Sequence, residues 1–203
     1  MKTLIIKYLP TGEKSQTKKL LDLFLQETKN QNIEVVDLLK EEIPIFDESN
    51  IQAYYKRNYG GQKLNESEAK LLEKNDKLIA QLKSADILVM AYPMHNFGMP
   101  AAVKAYLDAV IFKGETFDYG KKMMTGKKAL TLFASGGIYS EDTFNFDYPN
   151  WNSIALIAKA NFTFMGFDES EIIGTSLRDP STESDRLTQS KVKITEVVKK
   201  WYK

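Results

Sequence analysis

Short apolar runs alternate along the chain with stretches in which apolar residues recur at helical spacing. The apolar runs predict five strands, at 3–9, 33–38, 87–92, 128–134 and 171–175. The helical spacing predicts helices at 15–29, 101–112, 151–165 and 182–201, and a further helix that opens near Asn65 with a capping box to Glu68. The segment 41–61 shows neither pattern, and we predict that it is irregular.

Strand–helix alternation through five strands predicts a parallel sheet that is covered on both faces. Because crossovers between parallel strands are right-handed and unthreaded, a chain of 203 residues favours the strand order 2-1-3-4-5. The predicted fold is therefore an α/β, flavodoxin-like three-layer sandwich. We find no repeat, low-complexity tract or linker, so residues 1–203 are expected to form a single domain.

Composition excludes several kinds of site and partner. The chain has no cysteine and a single histidine, His95, so thiolate nucleophiles and cysteine-bound metals are excluded and no metal site is expected. A net charge of +1 argues against nucleic acid as a partner. The apolar run at the start is short for a signal peptide, and no run reaches about 18 apolar residues, so we expect a cytoplasmic protein without a membrane partner.

Three unusual loops follow the first, third and fourth predicted strands, whose carboxyl ends meet at one edge of a 2-1-3-4-5 sheet. The first loop ends in Ser15, Gln16 and Thr17, where free N–H groups at a helix start favour an anion such as phosphate. Simple N-capping by Ser15 is the alternative. The first loop carries neither a Walker sequence nor a dinucleotide fingerprint.

The second and third loops carry residues suited to a flat ligand. The second loop joins a carboxamide, an aromatic ring and a thioether on one turn, and the third has paired glycines that let a ligand approach the backbone. Each loop alone is also compatible with an ordinary turn, but together they favour a mononucleotide with a planar head group, namely FMN. The candidate residues are Pro93, Met94, His95, Asn96 and Phe97 in the second loop, and Ala134, Ser135, Gly136 and Gly137 in the third.

The chain also resembles a known family over nearly its whole length, most specifically in these loops. With Lys104-Tyr106-Asp108, Thr116-Phe117 and Gly126-Lys127-Lys128, they resemble the FMN-dependent NADH-azoreductase family, which is related to the NAD(P)H quinone reductases. The resemblance implies that the first loop holds the FMN phosphate, the second lies along the isoalloxazine and the third binds its pyrimidine edge. The chain departs from the family pattern at four positions: Tyr8 or Leu9 in place of a serine, His95 in place of a tyrosine, Ser135 where a polar or basic residue is common, and Tyr139 in place of a histidine.

The resemblance further implies an NADH:quinone oxidoreductase and azoreductase that forms a homodimer. NADH or NADPH would reduce FMN, and a quinone or an azo compound would then be reduced in a ping-pong cycle, with no catalytic side chain required because the flavin carries the chemistry. Tyr139, Phe162 and Phe164 are candidates to line the acceptor pocket, although core packing of the two phenylalanines is an open alternative. A flavodoxin-type electron carrier without NAD(P)H turnover is the alternative function, which the near-neutral charge disfavours because such carriers dock through strong acidity.

Overall fold

The computed structural model describes residues 1–137 and 153–203. In this part of the chain, five parallel strands form one sheet in the order β2-β1-β3-β4-β5, which confirms the predicted fold. The strands are β1 (Lys2–Lys7), β2 (Asn32–Asp37), β3 (Ile87–Ala91), β4 (Lys128–Ser135) and β5 (Glu169–Ser176). The helices are α1 (Gln16–Glu27), α2 (Glu48–Tyr54), α3 (Glu66–Ser84), α4 (Ala101–Val110), α5 (Ser153–Met165) and α6 (Pro180–Trp201).

Successive strand residues supply two separate cores, because side chains along a strand point to opposite faces of the sheet. In β1, Leu4 and Ile6 pack with α2, α3, α4 and α5 on one face. Ile5 lies between them and packs with α1 and α6 on the other. The central strands β1 and β3 are buried on both faces, which explains why their sequences are continuous apolar runs.

The predicted capping box opens α3. The Asn65 side chain accepts a hydrogen bond from the Glu68 N–H at 2.9 Å, and the Glu68 carboxylate accepts one from the Asn65 N–H at 2.8 Å. Two donors that the helix start would otherwise leave unpaired are thereby satisfied. The helix begins where its local sequence places it.

The prediction that 41–61 is irregular is wrong. Helix α2 occupies Glu48–Tyr54, and a π-helical turn follows at Tyr55–Tyr59. Asp47 caps α2, accepting from the Asn50 N–H at 2.9 Å, while the Asn50 side chain accepts from the Asp47 N–H at 2.7 Å. Two turns of helix carry too few apolar positions to show a period, and the tertiary contact of Tyr54 with Phe112, at a ring-centroid separation of 4.3 Å, anchors the segment instead.

The other predicted boundaries shift by a few residues, as is usual at element ends. Strand β1 ends at Lys7 rather than at residue 9, and β5 is longer than predicted at both ends. Pro100 occupies the N-cap position of α4, which begins at Ala101 as predicted and ends at Val110 rather than at residue 112. None of the described helices combines the length and the apolar character needed to cross a membrane.

Candidate cofactor site

The three loops singled out by sequence follow β1, β3 and β4, which are adjacent and parallel. Their carboxyl ends therefore open onto the same edge of the sheet, the edge at which open α/β sheets bind ligands. The strand order reverses direction along the chain between β1 and β3, since β2 lies on one side of β1 and β3 on the other. The loops thus meet at the topological switch point.

One residue, Ala134, joins all three loops through its backbone. Its N–H donates to the Thr17 hydroxyl oxygen at 3.1 Å. Its carbonyl accepts a hydrogen bond from the Met94 N–H at 2.9 Å. Thr17 and Ala134 are buried, so these bonds are made away from water, where they are strongest. The structure therefore brings the first, second and third loops into direct contact.

The start of α1 presents unused polar groups. Ser15 occupies the cap position, but its side chain makes no capping hydrogen bond, so the capping alternative lacks the bond that defines it. The Gln16 side-chain oxygen is buried, and no donor in the described part of the chain reaches it. A carboxamide can exchange its oxygen and its NH₂ by rotation, so Gln16 can present a donor to an anion. These groups, with the free N–H groups of the first helical turn, fit a phosphate.

Lys18, in the first turn of α1, is paired with acidic side chains. Lys18 forms ion pairs with Asp22 at 2.7 Å and with Glu13 at 3.4 Å, and its hydrogen bond to Asp22 raises its pKa above the ordinary value. No acidic side chain stands in the first turn of α1. Backbone N–H groups and the helix dipole therefore attract an anion to this helix start.

A tight, strained turn forms the second loop. His95 and Gly98 exchange two backbone hydrogen bonds of 2.9 Å, and the two residues between them, Asn96 and Phe97, have φ values of 46° and 65°. Asparagine tolerates the left-handed region, but a phenylalanine there is a genuine outlier. Such strain concentrates at binding sites, and here it holds an aromatic ring that is 42% exposed at the sheet edge.

Two residues that the sequence did not identify as part of the site support this turn. The Tyr8 ring meets the His95 ring edge-on, with centroids 6.0 Å apart, and the Ser153 hydroxyl donates to the Phe97 carbonyl. The position of Tyr8, directly beyond the end of β1, is the signal that could have assigned it to the site. Ser153 carries no such signal, because it is 56 residues away from the turn in sequence.

The third loop leaves its backbone accessible. The Ser135 hydroxyl donates to the Gly137 carbonyl at 2.7 Å. Gly136 has no left-handed φ, and a side chain built on it would meet no described atom within 4 Å. Neither the backbone conformation nor the packing of the described residues thus requires glycine at 136. A ligand lying against the backbone would require it. Around the whole site, Pro93 and Met94 are half-buried, while His95, Asn96 and Phe97 are exposed.

Two of the three candidate acceptor residues lie in the described part of the chain, in different environments. Phe162 is 1% exposed and packs on Phe167 in the core, at a centroid separation of 5.4 Å, as the packing alternative expected. Phe164 is 47% exposed and lies against Phe117 at 4.6 Å. Tyr139 lies outside the described residues. The two phenylalanines, although close together on α5, thus lie in different environments.

A groove of about 330 Å³ elsewhere shares no residue with the three loops. It runs along α3, with Ile79 and Ala80 in its floor. Its charged rim is already paired, since Arg57 bonds the carboxylate of Asp76 at 2.8 Å and a lysine and a glutamate pair on the other side. Paired charges of this kind leave little with which to bind a ligand, so the three loops are the better candidate site.

Comparisons with known proteins show the family of the chain. The family described as Flavodoxin-like fold matches residues 1–198. An FMN-dependent NADH:quinone oxidoreductase 1 of Bacillus cereus is 32% identical over 195 residues, which cover 89% of this chain and 90% of that protein. An FMN-dependent NADH:quinone oxidoreductase of Haemophilus influenzae is 30% identical over 199 residues, 96% of each chain.

Solved structures extend the likeness to three dimensions. An FMN-dependent NADH-azoreductase from Bacillus anthracis, solved in complex with FMN, has a TM-score of 0.82 to this chain at 29% identity. That match covers 98% of this chain and 99% of the other. An azoreductase from Bacillus anthracis str. Sterne has a TM-score of 0.83 at 25% identity, over the same shares of the two chains.

Proposed function

The chain belongs to the Flavodoxin-like fold family, and on that premise we propose that it is an FMN-dependent oxidoreductase that takes electrons from NADH or NADPH and reduces quinones and azo compounds. The predicted family resemblance is confirmed by relatives named as FMN-dependent NADH:quinone oxidoreductases and NADH-azoreductases. The observation that carries the proposal is the meeting of the three loops at Ala134. A helix start suited to an anion, an exposed aromatic turn and an open glycine turn are joined there by hydrogen bonds.

The residues of this unit divide the cofactor between them. Ser15, Gln16 and the N–H groups that begin α1 bind the phosphate, because they are polar and lack other use in the described structure. The turn 93–97, with its exposed Phe97, would lie along the isoalloxazine. The loop 134–137 lies against the pyrimidine edge, where the space beside Gly136 admits a flat ligand.

FMN held by these loops would supply two-electron chemistry between a nicotinamide and a second substrate, in a ping-pong cycle. The protein side of this function is positioning and electrostatics. Backbone N–H groups of Gly136 and Gly137 stabilise negative charge at the pyrimidine edge. No side chain acts as a covalent catalyst. Tyr139 lines the acceptor side. Phe164, at the end of α5 beside the start of β5, lies near the opposite edge of the sheet from the three loops, and Phe162 contributes by holding α5 in the core.

We also propose that the protein is a homodimer, on the basis of an exposed aromatic surface. This surface consists of Tyr55, Tyr59, Tyr119 and Phe164, each 42% exposed or more. Its members form two contacting groups: Tyr55 contacts Tyr59 at a ring-centroid separation of 5.1 Å, and Phe117 bridges Tyr119 to Phe164. Contiguous exposed aromatic residues are typical of protein interfaces rather than of free surfaces.

Light scattering after size exclusion tests the dimer. Tyr119→Lys places a charge in the aromatic surface, and we expect it to give a monomer. Val192→Lys is the matched control, since Val192 is also an exposed apolar residue but lies on α6, on the other face of the sheet. A monomeric unmutated protein, or a dimer that tolerates Tyr119→Lys, would contradict the proposal.

The proposed activity is tested by an absorbance titration. FMN is added to the purified protein, and the free flavin is removed. NADH or NADPH is then added without oxygen, and finally a quinone. We expect the bound flavin bands to bleach with the nicotinamide and to return with the quinone. Bound flavin that neither nicotinamide bleaches would indicate an electron carrier instead, and failure to bind flavin would refute the proposed function.

A further inference from the structure

The backbone N–H and the backbone carbonyl of Ala134 are each hydrogen-bonded to another loop. Thr17 accepts its N–H at 3.1 Å and the Met94 N–H donates to its carbonyl at 2.9 Å. Thr17 is 117 residues away from Ala134 in sequence. The hydrogen bond therefore spans the gap between the first turn of α1 and the end of β4, where the glycine turn begins.

The surroundings of Thr17 differ from those of its neighbour Gln16. The Thr17 side chain is 0% exposed and its oxygen is used by a backbone N–H. Gln16 is half-buried and its side-chain oxygen has no donor among the described residues. A side chain without exposed surface, whose oxygen already accepts a bond, is suited to hold other parts of the protein in place. A side chain with an unused polar atom is suited to meet a ligand.

We propose that Thr17 is a positioning residue, which fixes the turn 134–137 against the start of α1 and so sets the distance between the phosphate end and the planar end of the cofactor site. This inference rests on the proposed flavin-binding function. It assigns to Thr17 a role other than the phosphate contact that the family resemblance implies. Its physical consequence is that losing the Thr17 hydroxyl disturbs the planar end of the site, at which Thr17 itself makes no ligand contact.

The test compares two flavins that differ only in phosphate. Thr17→Val keeps the shape of the side chain but removes the oxygen, and Thr17→Ser keeps the oxygen. Thr28→Val is the matched control, because Thr28 is also a buried threonine, at the C-terminal cap of α1, bonded through its hydroxyl to the Phe24 carbonyl at 2.8 Å. Dissociation constants for FMN and for riboflavin are measured on each protein by flavin fluorescence.

The two roles give different results. If Thr17 positions the turn, Thr17→Val weakens FMN and riboflavin by the same factor, about tenfold for a buried hydrogen bond, and the absorption bands of the bound flavin shift. Thr17→Ser restores both affinities, and Thr28→Val leaves them unchanged. If FMN weakens and riboflavin does not, Thr17 contacts the phosphate and the inference is wrong. It is equally wrong if neither flavin weakens.

Amide hydrogen exchange of the flavin-free protein tests the same contact independently of any ligand. The Ala134 amide should exchange faster in Thr17→Val than in the unmutated protein or in Thr28→Val, since its buried N–H loses its acceptor. An unchanged exchange rate would overturn the inference. If the unmutated protein binds no flavin while the Ala134 amide responds as expected, the proposed function fails and the structural contact stands.

Discussion

In the strained turn of the second loop, we predict that glycine at position 97 gives a more stable protein than alanine. In helices and strands the order is usually the reverse. Phe97 has a φ of 65°, in the left-handed region where a side chain crowds the backbone. Replacing it by alanine or by glycine removes the ring in both cases, so the loss of ring contacts is the same. The two variants then differ only in the backbone preference of residue 97. The perturbation isolates the strain that the turn stores.

The size of the difference follows from two opposing terms. An alanine at positive φ costs about 1–2 kcal/mol, which glycine avoids. Glycine in turn loses more conformational freedom on folding, by roughly 0.5–1 kcal/mol. We therefore expect Phe97→Gly to be more stable than Phe97→Ala by roughly 0.75 kcal/mol, the centre of a range from about 0 to about 1.5 kcal/mol. For a chain of this length, that is a melting temperature about 1–4 °C higher.

A matched pair in a helix provides the control. Phe164 is a phenylalanine of similar exposure, 47% against 42% for Phe97, but it lies within α5. Glycine is about 1 kcal/mol less favourable than alanine in a helix interior, and less so at the last residue but one of α5, so Phe164→Gly should melt slightly below Phe164→Ala. Thermal unfolding of the four flavin-free variants, followed by circular dichroism, measures both orders.

The result that would refute the reasoning is a Phe97→Ala variant that melts above Phe97→Gly. The turn would then not be strained in solution, and the proposed reason for its conformation would be lost. With FMN present, both Phe97 variants should bind about tenfold more weakly, the factor that corresponds to an aromatic contact of about 1.4 kcal/mol. Unchanged affinity in both would show that the exposed ring does not meet the flavin.

Three further predictions concern packing, capping and pH. Gly174→Ala should destabilise the protein by about 1–3 kcal/mol in urea unfolding, because a Cβ there would lie 2.2 Å from the Phe133 ring; wild-type stability would contradict this. Lys127→Met should lower the free energy of unfolding by about 1–3 kcal/mol in the same assay, because the Lys127 ammonium donates to two carbonyls at the end of α3, at 2.6 and 2.8 Å. An unchanged free energy of unfolding would mean that water replaces the ammonium. Burial raises the pKa of Tyr202, which hydrogen-bonds Thr3, to about 12 from an ordinary 10.0, so its contribution to stability is complete below pH 10.0 and is lost as pH rises through 12. Tyr202→Phe should therefore reduce the loss of stability between about pH 9 and about pH 11, and an equal loss in both proteins would contradict the assignment.

Local sequence signals predicted the elements whose causes are local. The capping box of Asn65 and Glu68 marks the start of α3 within a few residues of chain, and the apolar runs of β1 and β3 follow from burial of both sheet faces. Helix α2 escaped prediction because its anchor is Tyr54 on Phe112, a contact between distant parts of the chain. A capping box of Asp47 and Asn50 was the available local signal.

The sequence by itself determined the strand order and the three loops that meet at the switch point, because hydrophobic period and the handedness of crossovers leave few topologies for this pattern. Only the tertiary structure decided how the loops are joined and what each side chain is free to do. Thr17 and Gln16 are adjacent in sequence, yet the first bonds to Ala134 and the second keeps an unused oxygen. Phe162 and Phe164 are close together on one helix, yet one is in the core and the other is exposed. The physical reason is that such roles depend on atoms far away along the chain, or on the face of a helix that meets the sheet, and residue type carries neither.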